Sequence, residues 1–255
     1  MYEQVDYHIH TLYLKCANET MTVPALVAKA EELGLKSIAV TDHLNAPQFL
    51  DEHRKIKRDL AEIESDLEII FGVEVNVIDQ DTGEVSINQQ QIDELGFELV
   101  IGGVHSSYFD TPDPKAIIDT QHRLMMAVVQ NPLVDILVHP WWFPRREFDA
   151  GTVAWLTDLA LLPDDYVTEL GEAAAATGTA IEANGSAILV NDTYGERFVA
   201  DYKEYLKKLA DCGALISISS DAHDIGRMET TQVAGRAVRD AGITPDQLWT
   251  ASQLK

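Results

Sequence analysis

The chain has little cysteine, little positive charge and no long apolar run. Only two of its 255 residues are cysteine, Cys16 and Cys212, which is too few for a disulfide framework and favours a reducing, cytoplasmic location. No stretch approaches the ~18 uninterrupted apolar residues that a membrane helix needs. The N-terminus also lacks the basic and apolar segments of a signal peptide. We therefore expect no membrane partner.

The scarcity of positive charge limits the possible partners. The chain carries 19 basic and 42 acidic residues, a formal net charge of −23 at pH 7. A surface this acidic repels the phosphates of duplex nucleic acid and of anionic lipid. We therefore expect no duplex nucleic-acid partner, and the sequence leaves the oligomeric state open.

Short apolar runs alternate along the chain with longer helical patterns. Several runs are near-continuous in Val, Ile and Leu, which is typical of strands buried on both faces of a parallel sheet. The candidate strands are 5–9, 37–41, 67–75, 98–104, 134–139, 180–184 and 214–220. The first helical segment has an N-cap at Thr22, Pro24 in its first turn and a stop at Gly34.

This alternation predicts an α/β domain with a parallel sheet. No linker rich in Pro, Gly or Ser divides the sequence, so we expect one domain over residues 1–255. Seven repeats are compatible with a barrel or with an open doubly wound sheet. In both architectures the functional side chains collect at the carboxyl ends of the strands.

Six of the eight histidines lie at or just after predicted strand ends, with acidic residues among them. The other two, His53 and His122, lie on helical patterns beside apolar residues, where we expect them to pack. The strand-end residues are His8, His10, Asp42, His43, Glu74, His105, His139, Glu182, Asn184, Asp221 and His223.

Imidazoles and carboxylates at one sheet edge indicate a metal site. His8 and His10 alternate with Ile9, so both point to the same side of their strand. Imidazole with carboxylate suits zinc, manganese or iron better than calcium or magnesium. The set exceeds what one tetrahedral ion needs, so the sequence predicts two or three divalent ions. Clustered ions serve hydrolysis, because they acidify water and neutralise phosphoryl charge.

Six short motifs, in order, resemble the polymerase and histidinol phosphatase (PHP) family. They are Asp-x-His-x-His (6–10), Thr-Asp-His (41–43), Gly-x-Glu (72–74), Val-His-Ser (104–106), Val-His-Pro (138–140) and Ser-Asp-Ala-His (220–223). The resemblance implies a distorted (β/α)7 barrel, a cluster of up to three metal ions and hydrolysis of phosphoric esters.

The resemblance also implies a ligand for each ion. One ion would be held by His8, His10, Glu74 and Asp221. Glu74 would bridge to a second ion, held also by His105 and His139, and a third would be held by His43 and His223. Many relatives have a further histidine in a Gly-His-Ala stretch, where this chain has Lys15-Cys16-Ala17. Cys16 is therefore either a replacement ligand, favouring zinc, or a small buried cysteine without a metal.

Residues near the strand ends could also bind substrate. Arginine grips phosphate in a bidentate manner, so phosphate contacts are expected among Arg145, Arg146, Arg197 and Arg227. The neighbouring Trp141 and Trp142 could stack on a ring of the substrate, or pack in the core.

The main hypothesis is a metal-dependent phosphomonoesterase, similar to histidinol phosphatases, that acts on a small phosphorylated metabolite. Glu74, Asp221 and His223 would form its catalytic centre. One alternative is a phosphodiesterase of the nuclease kind, and another is a metal-binding module without turnover. A third, an amidohydrolase, is disfavoured because no lysine stands at a strand end.

Overall fold

The predicted apolar runs all become strands in the computed structural model, which describes residues 2–105 and 113–254. The bounds predicted for the first strand (5–9) and for the sixth (180–184) match residue for residue, whereas the fifth predicted strand (134–139) is only two residues long. The strands are β1 Val5–Ile9, β2 Ser37–Val40, β3 His43–Leu44, β4 Glu68–Asn76, β5 Leu99–Gly103, β6 Ile136–Leu137, β7 Ala180–Asn184 and β8 Ile216–Ser219. The two-residue β3 resumes β2 after a break and pairs with β4.

The sheet curls into a nearly closed barrel. Its strand order is β1-β2-β4-β5-β6-β7-β8, and every adjacent pair is parallel. Beyond the end of β8 the chain returns to β1, where the Asp221 N–H donates to the His8 carbonyl at 2.9 Å and the His10 N–H to the Ala222 carbonyl at 3.1 Å. The predicted (β/α)7 barrel is therefore confirmed, and the open-sheet alternative is wrong.

Helices surround the barrel. The first begins where the sequence predicted, because the Thr22 hydroxyl accepts the Ala25 N–H and Pro24 occupies the first turn. The helices are α1 Val23–Glu32, α2 Leu50–Ala61, α3 Gln89–Leu95, α4 Pro114–Gln130, α5 Arg145–Asp149, α6 Asp164–Thr177, α7 Glu196–Asp211 and α8 Thr230–Asp240. Within the described ranges no helix is long and apolar enough to cross a membrane.

Apolar side chains fill two layers. The larger layer lies between the sheet and the helices, and a smaller one fills the barrel interior. Trp249, which follows α8, packs edge-on against Tyr7 with the ring centres 4.8 Å apart, and its backbone N–H donates to the carbonyl of Ile216 at the start of β8. The amino ends of the strands are therefore closed by apolar packing, and the carboxyl ends are left for polar side chains.

His53 and His122 pack outside the barrel mouth, as expected. Both ring nitrogens of His53 contact backbone carbonyls, those of Phe49 at 3.0 Å and Asp42 at 3.1 Å. The ring of His122 stacks on Tyr166 and its Nε2 contacts Glu169 at 3.0 Å. Both histidines serve structure, so they do not belong to the candidate site.

Candidate metal centre

The strand-end histidines and acids meet in one cavity at the carboxyl ends of the strands. His8 stands in β1 and His10 follows it directly, and the other side chains stand within β3 to β8 or follow them. The cavity measures about 270 Å³ and is lined by His43, Glu74, His105, His139, Trp142, Ser186, Ala187, Asp221 and His223. Ser106, the last residue of the Val-His-Ser motif, lies outside the described residues.

The Glu74 carboxylate lies between two sets of imidazoles. Its Oε1 is 2.8 Å from His105 Nε2 and 3.2 Å from His139 Nε2. Its Oε2 is 3.4 Å from the Nε2 atoms of both His8 and His10. Each oxygen of one buried carboxylate thus faces its own pair of ring nitrogens, which is the arrangement that a bridging ligand requires.

Asp221 completes the first of these sets. Its Oδ1 is 3.5 Å from His8 Nε2 and 3.4 Å from His10 Nε2. The two ring nitrogens are 3.0 Å apart. Because zinc binds nitrogen at about 2.0–2.1 Å, two such ligands of one tetrahedral ion lie about 3.4 Å apart. The side chains are therefore spaced nearly as one ion would hold them.

A third group of donors lies at the edge of the cavity around Cys16. The sulfur is 4.0 Å from His10 Nδ1, and the rings of His10 and His223 stack with centres 4.1 Å apart. Ligand atoms of Cys16, His10, His43 and His223 all lie within 4.8 Å of one another. Cys16 is an exposed residue, and its sulfur faces the ring of His10; its role as a ligand stays a prediction.

His43 belongs to two groups. Its ring lies near Cys16 and His223, as the family resemblance implied, but its Nδ1 is also 2.6 Å from Glu74 Oε2. The short strand β3 causes this, because its pairing with β4 places His43 directly beside Glu74. The sequence did not predict β3, and therefore did not predict this second contact.

The charges of the site stabilise one another. Burial alone would raise the pKa of Glu74, but the imidazoles of His43, His8 and His105 hold that pKa well below its usual value. Burial alone would lower the pKa of His8, and the carboxylates of Asp221, Glu74 and Glu182 instead raise it well above its usual value. The site therefore keeps ionised carboxylates in a buried position, which favours a cation.

Two buried atoms support a metal more directly. Glu74 Oε2 and His43 Nδ1 approach within 2.6 Å, yet neither has a hydrogen-bond partner of acceptable geometry in the part of the chain that the structure describes. A buried polar atom without a partner is costly, and a bound cation would satisfy both atoms at once. Together with the nitrogen, oxygen and sulfur donors, this fits divalent transition metals such as zinc, manganese or iron.

The backbone is strained around this cavity. Among the described non-glycine residues, four have positive φ, and three of them are His139 at 32°, Trp141 at 66° and Asp221 at 56°. Such conformations cost on the order of 1–3 kcal/mol each and cluster at functional sites. The strain also ends β6 early, because the chain turns out of the sheet at His139.

The arginines expected to bind phosphate do not line this cavity within the described ranges. Both Arg145 and Arg197 are exposed: Arg145 contacts Asp149 and Asp192, and Arg197 contacts the partly buried Asp158 and Asp201. Their role in phosphate binding stays a prediction, as does that of the exposed Arg146 and Arg227.

The tryptophan that lines the cavity is Trp142, whose ring centre is 5.1 Å from that of His139. Trp141 was the candidate for substrate contact, but it is only 1% exposed and belongs to the apolar core. Trp141 is therefore not among the residues that line the cavity, and its contact with a substrate stays a prediction.

Sequence reasoning also missed residues that support the ligands from behind. Asn76 Oδ1 contacts His105 Nδ1 at 3.2 Å and directs the other ring nitrogen toward Glu74. Glu182 contacts His8 Nδ1 at 2.8 Å. Both stand on strands, and Glu182 was visible at a strand end, but only the fold reveals which ligand each one contacts.

Comparison with known proteins agrees with this geometry. The PHP domain model matches residues 6–136, slightly more than half of the chain. The chain is 28% identical to a probable phosphatase of Thermoanaerobacter sp. strain X514, over 95% of this chain and 88% of that protein. It is 29% identical to the probable phosphatase YcdX of Escherichia coli K12, over 86% and 78%. A probable phosphatase of Syntrophotalea carbinolica is 27% identical, over 96% and 90%.

The family match includes the proposed ligands His8, His10, His43, Glu74 and His105, whereas His139, Asp221 and His223 lie beyond it. The relatives extend the similarity over nearly the whole chain, including the segment that carries Asp221 and His223. The expectation of a single domain over residues 1–255 stays a prediction. By the family match, the chain belongs to the PHP domain family.

Proposed function

We propose that this protein is a metal-dependent phosphomonoesterase that acts on a small phosphorylated metabolite. The observation that carries the proposal is the Glu74 carboxylate, whose two oxygens face two separate sets of imidazoles. The membership in the PHP family and the relatives named probable phosphatases support a phosphoric ester hydrolase.

Each ion has a proposed set of ligands. The first is held by His8, His10, Glu74 and Asp221, and the second by Glu74, His105 and His139. The third is held by His43, His223 and Cys16, whose thiolate makes zinc the best match at that position. When bound, such ions acidify water and neutralise the charge that develops on a transferring phosphoryl group.

The chain's own residues set the size and orientation of the substrate. The cavity of about 270 Å³ admits a phosphoryl group with a small leaving group. Trp142 and Ala187 form an apolar wall, and the described lining contains no arginine or lysine. Phosphate charge is therefore balanced at the metal centre, and Trp142 contacts the leaving group.

Asp221 and His223 have proposed roles at the cavity mouth. Asp221 lies between His8 and His10 on one side and His223 on the other, at 3.5 Å from His223 Nδ1. His223 is the most exposed imidazole of the site, with 37% of its side chain accessible. As a ligand of the third ion it would hold that ion at the mouth of the cavity, beside the leaving group, while Asp221 orients its ring.

A screen of phosphorylated metabolites with zinc-, manganese- and iron-loaded protein tests the proposal. We expect turnover of at least one phosphomonoester and little with diesters or with duplex DNA. Preferential turnover of diesters would instead identify a phosphodiesterase. Metal binding without turnover of any ester would identify a non-catalytic metal-binding module.

The bridging role of Glu74 is tested by Glu74→Ala. Removing one carboxylate shared by two ions should lower phosphomonoesterase activity by more than about a hundredfold and reduce the content of both ions. Glu169→Ala is the matched control, because Glu169 pairs with His122 outside the cavity. A Glu74→Ala protein that keeps over half of the activity would contradict the bridging role.

A further inference from the structure

Glu182, at the centre of β7, carries a fully buried carboxylate that belongs to none of the proposed sets of metal ligands. It is 0% exposed and belongs to none of the clusters in which the described ligand atoms converge. Among the described residues, three groups contact its carboxylate: His8 Nδ1 at 2.8 Å, the backbone N–H of His139 at 2.6 Å and Asn184 Nδ2 at 2.9 Å. A buried carboxylate without a lysine or arginine partner needs such donors to be stable.

The contact with His8 determines which ring nitrogen carries the proton. An ionised carboxylate only accepts hydrogen bonds, so His8 Nδ1 must donate to Glu182 Oε1. In a metal-binding ring the lone pair is then on Nε2, which points to the space shared with His10 and Glu74, 3.0 and 3.4 Å away. A hydrogen-bonded carboxylate behind a histidine ligand also makes the free nitrogen a stronger metal ligand.

The second oxygen of Glu182 supports the other side of the site. Oε2 accepts the backbone N–H of His139, a residue held at the strained φ of 32°. Asn184, which also donates to Oε2, donates from the same nitrogen to Asp221 Oδ2 at 3.2 Å. One carboxylate therefore contacts, directly or through Asn184, ligands on both sides of Glu74.

We infer that Glu182 is a positioning residue for the metal centre: it fixes His8 with the proton on Nδ1 and holds the backbone of His139 in its strained turn. The inference rests on the proposed function only in taking His8 and His139 as metal ligands. Glu182 itself touches neither metal nor substrate.

The substitution Glu182→Gln separates this role from simple packing. The amide has the same shape but only one oxygen, so it cannot accept from both His8 Nδ1 and the His139 N–H. We expect the folded variant to bind zinc about 10–100-fold more weakly. Glu169→Gln is the matched control, because its carboxylate also contacts a histidine ring, that of His122, but far from the cavity. We expect that control to bind zinc as the wild type does.

A spectroscopic measurement tests the inference without depending on activity. Long-range proton–nitrogen spectra of zinc-loaded, ¹⁵N-histidine-labelled protein should show the His8 proton on Nδ1, with Nε2 bound to the metal. The same Nδ1 proton should be weakened or lost in Glu182→Gln. A His8 ring bound to zinc through Nδ1 would overturn the inference, and so would a folded Glu182→Gln protein with unchanged zinc affinity.

The wild-type spectrum keeps the inference testable if Glu182→Gln fails to fold. In that case the position of the His8 proton in the wild-type protein decides the matter alone. Failure of the proposed function gives a different result: either zinc binds without turnover of any ester, and the zinc-loaded spectrum still decides, or the wild type binds no zinc. The metal-free spectrum then still decides, since a His8 ring without a proton on Nδ1 overturns the inference and a hydrogen-bonded Nδ1 proton supports it.

Discussion

The sulfur of Cys16 is the clearest departure of this chain from its family's pattern. It lies 4.0 Å from His10 Nδ1 in a cluster with His43 and His223. Although the residue is exposed, enough protein surrounds the thiol that burial raises the pKa of Cys16 to about 12, with the carboxylates of Asp42 and Glu74 adding to the rise. A bound cation reverses this preference, because a metal-bound thiol is deprotonated.

Substitution of Cys16 should therefore change the metal content. We expect Cys16→Ser to lose one zinc ion per chain while the two ions around Glu74 remain, and Cys16→His to restore the third. The control is Cys212→Ser, which changes the other free cysteine, after α7 and away from the cavity. Elemental analysis after zinc loading gives the number of zinc ions per chain in the wild type and in the three variants. Unchanged stoichiometry in Cys16→Ser would show that water or another side chain completes the third site.

Asp6 gives a second prediction at the residue scale, on pH and stability. Its Oδ1 accepts the backbone N–H groups of Ser220 at 2.8 Å and His8 at 3.4 Å, while the buried Oδ2 has no described partner. Burial raises the pKa of Asp6 to about 7, although these hydrogen bonds oppose the rise. In the unfolded chain the pKa of an aspartate is about 3.9. Between these values the folded state binds more protons, so stability falls as pH rises.

Asp6→Asn should remove this contribution. Asparagine keeps an oxygen for the Ser220 N–H but carries no charge, so the metal-free variant should lose less stability between about pH 4 and 7. The slopes of the unfolding free energy against pH should differ between the wild type and the variant by at most about 1.4 kcal/mol per pH unit. Denaturant unfolding in the presence of a chelator measures it. Identical slopes for the two proteins would mean that Asp6 is already ionised in the folded state.

At the scale of the element, the carboxyl end of β5 shows how a strand positions the site. A Cβ on Gly103 would lie 2.8 Å from His139 Cε1 and 3.3 Å from His105 Cε1. A Cβ on the adjacent Gly102 would point the other way, 3.2 Å from Val75 Cγ2. The missing side chain at Gly103 therefore makes room for two rings of the second ion's proposed ligand set.

Alanine at these two glycines should separate stability from metal binding. Both substitutions overpack a tight contact and should cost about 1–3 kcal/mol. Only Gly103→Ala should also displace the His105 and His139 rings, with loss of one bound ion and at least about tenfold lower activity. Thermal unfolding together with elemental analysis distinguishes the two effects. Equal metal content in the two variants would contradict the proposed role of Gly103.

The strands were predictable from sequence because their cause is local. The run Ala180–Asn184 is buried along its whole length and the run Val5–Ile9 at every residue but the half-buried Val5, and the sequence pattern alone places the ends of both strands. The two-residue β3 and the shortened β6 were not predictable to the residue. Their bounds depend on pairing with β4 and on the strained turn at His139, both of which arise only in the folded barrel.

The sequence predicted most of the side chains that could bind metal, but not the residues that hold those side chains in place. Histidines at strand ends identified the cavity, because the fold brings the carboxyl ends of parallel strands together. Sequence could not distinguish Trp141 from Trp142, since a positive φ at Trp141 decides which ring enters the core. Nor could it assign Glu182 to His8, because 174 residues separate the two partners.

At the scale of the whole molecule, the charge of −23 is the dominant feature. Many basic side chains already pair with acids, as Arg54 does with Asp51 and Glu94, so a large excess of carboxylates remains unbalanced. Like charges on one compact surface repel and destabilise the folded state. In the unfolded chain the same charges lie farther apart, so screening by salt should stabilise the folded state more than the unfolded state.

We therefore expect the melting temperature to rise with potassium chloride, the opposite of what surface ion pairs alone would give. The Debye length falls from about 30 Å at ~0.01 M to about 3 Å at ~1 M salt, which covers the range from weak to nearly complete screening. For a chain of this size each 1 kcal/mol gained corresponds to roughly 2–4 °C. A rise of several degrees is thus expected in the chelated protein, where salt cannot act by displacing metal.

Chloride is preferred to sulfate, because sulfate also strengthens apolar burial and would raise the melting temperature without any charge effect. A melting temperature that falls as potassium chloride is added would show that the ion pairs outweigh the repulsion among the excess carboxylates.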